Sequence, residues 1–321
     1  MKRKQLAPHI HANQPASERY MYVLMAMLPV LVGAVFYFGI RVLILAAVSM
    51  ACFFFCDFFS AKSLYPEHAF YVDYSSLVSG LMLVLLMPAS ASIWVVAIAA
   101  VFGSLLVKQS FGGVGTNIFN PALAARAFLQ IAFPAQMDAR PMPLTDMWNL
   151  SSLLTGKCAA DAGAVHVDVS AMEVISGKLP GMAGVTCAVL ILLGGIILFE
   201  RKLFRFEAPL TYLMAILIGY VPLYWNQIHP DQFVIWVASS GILFVSVFML
   251  NDCTTTPMDS RGRFLFGGGA GFLTILLSRF ANDTYAVIFP ILMMNMVTPI
   301  FDYYIRPRAF SHGEWFKEVE K

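Results

Sequence analysis

Two asparagines stand directly ahead of a helix that the sequence places in a membrane. Asn117 and Asn120 precede Pro121, and proline suits the first turn of a helix because its missing N–H would have no partner there. Asn120 is therefore predicted to cap this helix with its side chain. Two amides three residues apart, behind the glycine-rich turn GGVGT, also offer donors and acceptors that can bind a polar ring edge or an anion.

Asp252 and Arg126 are two ionisable groups set against apolar sequence. Asp252 ends a long apolar run and is followed by three threonines and Pro257, so it is a candidate polar partner or ligand residue. Arg126 lies inside the helix that follows Pro121, where an unpaired guanidinium costs a few kcal/mol or more. It must reach a carboxylate, carbonyl groups or a water-filled cavity, and both a structural and a functional role are open for it.

These groups stand out because the rest of the chain is apolar. Of its 321 residues, 59% are hydrophobic and 12% are charged, and with this composition a soluble domain would not cover its surface. The chain is therefore predicted to be an integral membrane protein. Its 21 basic and 19 acidic residues are too evenly balanced for a nucleic-acid binder, which needs a basic face. The five cysteines show no CxxC pair or zinc-type spacing, so no metal site is predicted.

Ten apolar runs predict an all-α fold with ten transmembrane helices, although several runs are short or interrupted by Gly or Pro. With the N-terminus inside, 15 of the 21 Lys and Arg residues fall on the cytoplasmic side, which predicts that both termini are cytoplasmic. The runs are 21–38, 42–59, 75–87, 93–107, 119–133, 183–199, 209–225, 233–250, 264–280 and 285–303.

The ten runs divide into two halves of five. The stretch SGLMLVLLMP at 79–88 echoes SGILFVSVFML at 240–250, which supports an internal repeat. Five spans per half make the repeats inverted, and inverted repeats tend to place a polar site at their interface. The predicted division is a cytoplasmic lead-in (1–20), a first five-helix repeat (21–133), an outer loop (134–182), a second five-helix repeat (183–305) and a cytoplasmic tail (306–321).

Three segments of the chain match a known pattern. They are KQSFGGVGTNIFNPALAARAFLQIAFPAQM, NDCTTTPMDSRGRFLFGGGAGFLTILL and MMNMVTPIFDYYIRPRAF. Through these segments the chain resembles the RnfD/NqrB family, which comprises the RnfD membrane subunit of the Rnf electron-transport complex and the similar NqrB subunit of the sodium-pumping NADH:quinone oxidoreductase. The resemblance implies a ten-helix flavoprotein of the cell membrane. It further implies partner subunits in a complex that couples electron flow between ferredoxin and NAD to movement of Na⁺ or H⁺.

The resemblance also implies two flavins. One is an FMN that a flavin transferase attaches through its phosphate to a threonine of the outer loop, in a motif D-G-x-[ST]-x-A-T. This loop lacks the motif, and the best match by spacing is DMWNLSS, in which Asp146 stands six residues ahead of Ser152. Ser152 is the first candidate for covalent FMN and Thr155 is the second, while a chain without covalent flavin remains the third alternative.

The second implied flavin is a riboflavin that is held noncovalently in the membrane part. Asn117 and Asn120 match the two asparagines of the family segment N-x-x-N-P. Together with Asp252 they form the riboflavin-pocket hypothesis, because the polar edge of a flavin ring would offset the cost of burying their amides.

Two other functions fit the same pattern. Ten spans in inverted halves with a midplane polar site also describe a channel or transporter of a small polar solute, with urea-transporter-like architecture. The chain is alternatively an unflavinylated subunit that scaffolds the redox partners of the complex. A bound flavin would distinguish the first interpretation from both.

Overall fold

The predicted apolar runs are helical in three dimensions. A computed structural model describes residues 16–64, 74–141, 143, 177, 181–223, 230–281 and 283–305. Each of the ten apolar runs contains a helix within these ranges, which confirms the all-α fold class. The helices are α1 (Ala16–Phe38), α2 (Arg41–Leu64), α3 (Tyr74–Leu85), α4 (Ile93–Phe102), α5 (Pro121–Ala132), α6 (Pro134–Met137), α7 (Ala188–Glu200), α8 (Glu207–Leu223), α9 (Pro230–Ser239), α10 (Ile242–Phe244), α11 (Ser260–Ser278) and α12 (Asp283–Tyr304).

Four helical stretches of the described chain are long and apolar enough to cross a membrane. They are Ser17–Phe38, Arg41–Ser63, Ile93–Phe111 and Tyr285–Tyr304. The helices α3, α7 and α8 are apolar but shorter than the roughly 20 residues that a full crossing needs. The multi-pass membrane class is therefore supported, while the count of ten crossings and the division into two inverted repeats remain predictions.

The outer surface of the helices carries large apolar side chains. Val32 and Phe36 on α1, Phe59 on α2 and Ile218 on α8 are each more than 60% exposed. A soluble protein rarely exposes so many large apolar groups, whereas a bilayer solvates them. These faces are the expected lipid contact of the bundle.

The two echoing stretches lie inside the bundle and are irregular. The helix α3 ends at Leu85, and the run 233–250 breaks at Gly241, whose φ of +90° suits glycine. The helix after the break widens into a π-helical segment, Val245–Met249, and α4 widens in the same way over Gly103–Lys108. Wide turns of this kind re-aim side chains and often accompany functional sites.

Glycines allow the closest helix pairs. The helix α11 packs along α8, and a Cβ at Gly267 would lie 2.2 Å from the Ala208 carbonyl oxygen. In the other half, a Cβ at Gly80 of α3 would lie 2.8 Å from the Met50 Cα of α2. Small residues at such crossings let membrane helices gain packing contacts along their backbones.

Candidate functional site

The start of α5 is fixed by its own sequence. Asn120 has extended backbone angles, and its Oδ1 accepts hydrogen bonds from the backbone N–H groups of Ala122 (3.1 Å) and Leu123 (3.3 Å). Pro121 occupies the first helical position. The predicted helix cap is confirmed, and it holds the asparagine side chain at one position and angle.

The turn between the π-helical segment Val245–Met249 and α11 folds around a carboxylate. Asp252 Oδ1 accepts from the backbone N–H of Thr254 (3.3 Å) and from its hydroxyl (3.1 Å), and Asp252 Oδ2 accepts from the Thr255 hydroxyl (3.3 Å). The Thr256 hydroxyl donates to the Asp252 carbonyl at 2.5 Å. The three threonines therefore satisfy the aspartate with neutral donors.

The structure brings these two turns together. Asn120 Nδ2 donates to Asp252 Oδ2 at 3.2 Å, although the residues are 132 positions apart. Asn117 Nδ2 donates to the Phe119 carbonyl at 3.0 Å and lies 3.5 Å from Thr254 Oγ1. The three residues of the predicted pocket are thus neighbours.

A cavity of about 340 Å³ opens at this junction, within the size range of small-molecule sites. Its lining includes Asn117, Asn120 and Asp252, together with Thr254 and several basic side chains. Both asparagines are buried, and no donor in the described ranges reaches Asn117 Oδ1. A heterocycle whose edge alternates donors and acceptors matches this acceptor and the second N–H of the Asn120 amide. The residues present therefore fit the edge of a flavin ring.

A buried ion pair forms part of one wall of the cavity, which Lys108 lines. Lys108, at the end of the π-helical segment Gly103–Lys108, contacts Asp57 of α2 at 2.6 Å. Asp57 also accepts from Ser104 (2.6 Å) and Gln109 (2.8 Å), and from the Ser76 hydroxyl. Sequence reasoning missed this pair. The available signal was a carboxylate inside the apolar run of α2, which in a membrane helix requires a partner.

Arg126 has a structural role. Its Nε donates to the Leu86 carbonyl at 2.8 Å, its Nη1 donates to Gln130 Oε1 at 2.5 Å, and its Nη2 reaches the Met137 carbonyl at 3.4 Å. Arg41 binds the carbonyls of Ala89 (2.9 Å) and Ala91 (2.7 Å) in the same turn between α3 and α4. Carbonyl groups left free where α3 ends are thus satisfied by two buried guanidinium groups.

The candidate residues for covalent FMN fall elsewhere. Asp146, Ser152 and Thr155 lie outside the described residues, in the stretch 144–176. The attachment hypothesis therefore rests on their spacing in the sequence.

The sequence of this chain is similar to those of several known proteins. The chain is 28% identical to the D subunit of the Na⁺-translocating ferredoxin:NAD⁺ oxidoreductase complex of Acetobacterium woodii, over 98% of this chain and 96% of the relative. It is 32% identical to the D subunit of the ion-translocating oxidoreductase complex of Stutzerimonas stutzeri, over 94% and 96%. The corresponding D subunit of Actinobacillus pleuropneumoniae serotype 5b is 28% identical over 96% and 98%.

A family model supports the same placement over almost the full length. The model for the NQR2, RnfD, RnfE family matches residues 4–311, which include both turns of the cavity and all described helices. The resemblance stated from the motifs is thereby confirmed. The chain belongs to the NQR2, RnfD, RnfE family.

Proposed function

We propose that this chain is the flavin-carrying membrane subunit of an Rnf-type complex, which couples electron transfer between ferredoxin and NAD to translocation of Na⁺ or H⁺ across the cell membrane. The observation that carries the proposal is the cavity in which Asn117, Asn120 and Asp252 meet, in a chain of this family. The names of its relatives, which are subunits of ion-translocating oxidoreductase complexes, support the same role.

The cavity residues have distinct parts in holding a noncovalent flavin of the riboflavin type. The Asn117 amide oxygen accepts from the ring edge, and the second N–H of the Asn120 amide donates to it. Asp252 fixes the Asn120 side chain, because its Oδ2 accepts the other amide hydrogen. A flavin supplies one- and two-electron chemistry, while the protein supplies position and electrostatic surroundings.

A second flavin, FMN, is proposed for the outer loop. Ser152 supplies the hydroxyl that forms the phosphodiester, Asp146 stands six residues ahead of it, and Thr155 is the alternative acceptor. A flavin transferase is then a required partner, in addition to the other subunits of the complex and the lipid bilayer. In this proposal both termini are cytoplasmic and the loop lies on the outer side.

The noncovalent flavin is tested on the chain purified in detergent from its complex. We expect acid to release a flavin with its visible absorption, and we expect Asn117→Ala to lower the bound fraction at least several-fold. Gln136→Ala is the matched control, since this amide is outside the cavity lining and binds the Ser92 backbone N–H at 3.2 Å. A colourless wild-type chain would overturn the proposal, and uptake of a small polar solute by liposomes holding it would favour the transporter.

The covalent flavin is tested by the intact mass of the chain from cells that contain the transferase. We expect a mass increment of one FMN, mapped to the peptide that holds Ser152 and lost in Ser152→Ala. An increment that persists in Ser152→Ala and disappears in Thr155→Ala would move the attachment to Thr155. An unmodified chain would remove the covalent flavin and leave the cavity proposal to its own test.

A further inference from the structure

The cavity is lined by far more positive than negative charge. Asp252 is the one carboxylate among its lining residues in the part of the chain that the structure describes. The basic side chains in the lining come from α1, the π-helical segment after α4, the turn after α7, and α11. They are Arg19, Lys108, Arg201, Lys202, Arg205 and Arg263.

Two of these cations are neutralised by carboxylates outside the lining. Lys108 pairs with Asp57 at 2.6 Å, and Arg263 Nη2 pairs with Glu207 Oε1 at 3.0 Å. For the four others, no carboxylate of the described residues lies within ion-pairing distance. These four are Arg19, Arg201, Lys202 and Arg205.

Arg205 has two other cations of the lining near it, Arg263 and Arg19. The backbone of Arg205 is held at the cavity because its N–H donates to Asn251 Oδ1 at 2.8 Å. Burial lowers the pKa of Arg205 most, and the charge of Arg263 lowers it further. Cys253 and Glu207 act in the opposite direction, and the charge of Arg19 adds the smallest lowering effect. Arg19 Nε is buried without a hydrogen-bond acceptor in the described chain.

A bound anion would offset the repulsion among the basic side chains of the cavity. Like charges gathered at a partly enclosed wall repel each other more strongly than in water, because the local dielectric constant is lower. Guanidinium groups present several N–H donors in a planar fork, which matches the oxygens of a phosphate. The Asp252 carboxylate is already engaged with Asn120 and two threonines, so it does not neutralise the arginines by direct contact.

We infer that the cavity prefers a flavin that bears a phosphate, with Arg19 and Arg205 as the residues that bind the phosphate and Asn117 and Asn120 as those that bind the ring. The inference rests on the proposed flavin of this cavity and deepens it. It departs from the uncharged riboflavin that the family resemblance implies, because riboflavin brings no counter-charge to the cationic wall.

The preference is tested by flavin binding to the full chain, stripped of bound flavin and held in neutral detergent. Quenching of flavin fluorescence gives the dissociation constants of FMN and riboflavin separately. At low salt we expect FMN to bind at least about tenfold more tightly than riboflavin. This advantage should shrink as salt rises, because ions screen the attraction between phosphate and arginine.

Two sets of variants distinguish the effect of the cavity arginines from the effect of the overall charge of the protein. The double variant Arg19→Gln/Arg205→Gln should lose the FMN advantage while riboflavin binds as before. Arg261→Gln is the matched control, because Arg261 is an exposed basic residue outside the cavity lining and should leave both constants unchanged. If the double variant loses both flavins, a fold check by circular dichroism decides: an unfolded variant is replaced by the two single variants, and a folded one overturns the inference.

Further results distinguish a flavin phosphate from a lipid phosphate as the bound group. They also distinguish failure of the phosphate preference from failure of the proposed flavin function. If nanodiscs with anionic lipid abolish the FMN advantage and nanodiscs with neutral lipid preserve it, the arginines bind a lipid phosphate and the inference fails. Equal binding of FMN and riboflavin also overturns the inference but leaves the proposed function in place. Failure of both flavins to bind would instead remove the flavin from this cavity, and with it the proposed function.

Discussion

The chain holds two aspartates near the same cavity, one buried and one half-buried, and stabilises their charges in different ways. Asp57 has an ammonium group at 2.6 Å in addition to hydroxyl and amide donors, so its charge is balanced inside the protein. Asp252 is surrounded by neutral donors from Thr254, Thr255 and Asn120. A carboxylate with its own cation has a fixed electrostatic environment, whereas one held by dipoles remains sensitive to charge that enters the cavity.

Asp57 and Asp252 have different structural roles. The Asp57 and Lys108 pair joins α2, α3 and the π-helical segment after α4, and it acts as a support for the cavity wall. Asp252 joins the two halves of the chain through its hydrogen bond with Asn120. Both residues line the cavity, so a bound ligand would lie next to them. Substitutions that remove one partner at a time make this difference measurable.

Lys108→Met should have the largest effect on stability. It leaves Asp57 buried without its cation, which costs about 3–5 kcal/mol in comparable buried pairs. Unfolding in detergent, followed by circular dichroism, measures the loss. The double variant Asp57→Asn/Lys108→Met should recover most of it, and a double variant as unstable as Lys108→Met would contradict the assignment of a charge pair.

Asp252→Asn should destabilise the protein less, by about 1–3 kcal/mol, because it removes hydrogen bonds to a charged acceptor without leaving an unpaired cation. The same unfolding assay measures it beside Asp57→Asn, which leaves the Lys108 ammonium buried without a carboxylate. The distinction between the two aspartates would be wrong if both Asn variants lost equal stability.

Asn120→Ala should cost about 1 kcal/mol through the lost helix cap, and somewhat more through the lost bond to Asp252. Asn120→Ser separates the two contributions, because serine caps a helix but lacks the amide N–H that reaches Asp252. We expect the serine variant to fall between wild type and alanine in the unfolding assay. Identical losses for serine and alanine would show that the cap contributes little here.

Glu207→Gln should have the smallest effect, below about 1 kcal/mol, because the ion pair with Arg263 is partly exposed. Glu207 precedes the apolar run that begins at residue 209. Burial raises the pKa of Glu207, but hydrogen bonds from its own backbone, Arg263 and Ser260 outweigh this and leave the pKa below its usual value.

The sign of the pH dependence follows from that lowered pKa. A carboxylate with a depressed pKa in the folded state adds stability above its unfolded pKa, roughly 4.3, and this contribution is lost as the pH falls through the folded pKa. Wild type should therefore exceed Glu207→Gln in stability at pH 7 and approach it under acid conditions. A difference that stayed constant between pH 7 and pH 3 would argue against the ion pair.

Local sequence predicted much of the candidate site. The order Asn120 then Pro121 predicted the cap that the structure contains, because capping depends on residues within one helical turn. The same local view predicted that Arg126 needs partners but not which ones. One partner, Gln130, lies one turn along the same helix, whereas the carbonyl groups of Leu86 and Met137 come from outside α5.

The sequence by itself determined the membrane class, the all-α fold, the positions of the helical runs and the polar turns that carry Asn117, Asn120 and Asp252. These properties follow from hydropathy and capping, which act over neighbouring residues. Tertiary structure alone decided that Asn120 meets Asp252, that Lys108 balances Asp57, and that basic residues from four separate segments share one cavity wall. These contacts join residues 51 positions apart in the case of Asp57 and Lys108 and 132 positions apart in the case of Asn120 and Asp252, and no local pattern encodes that packing.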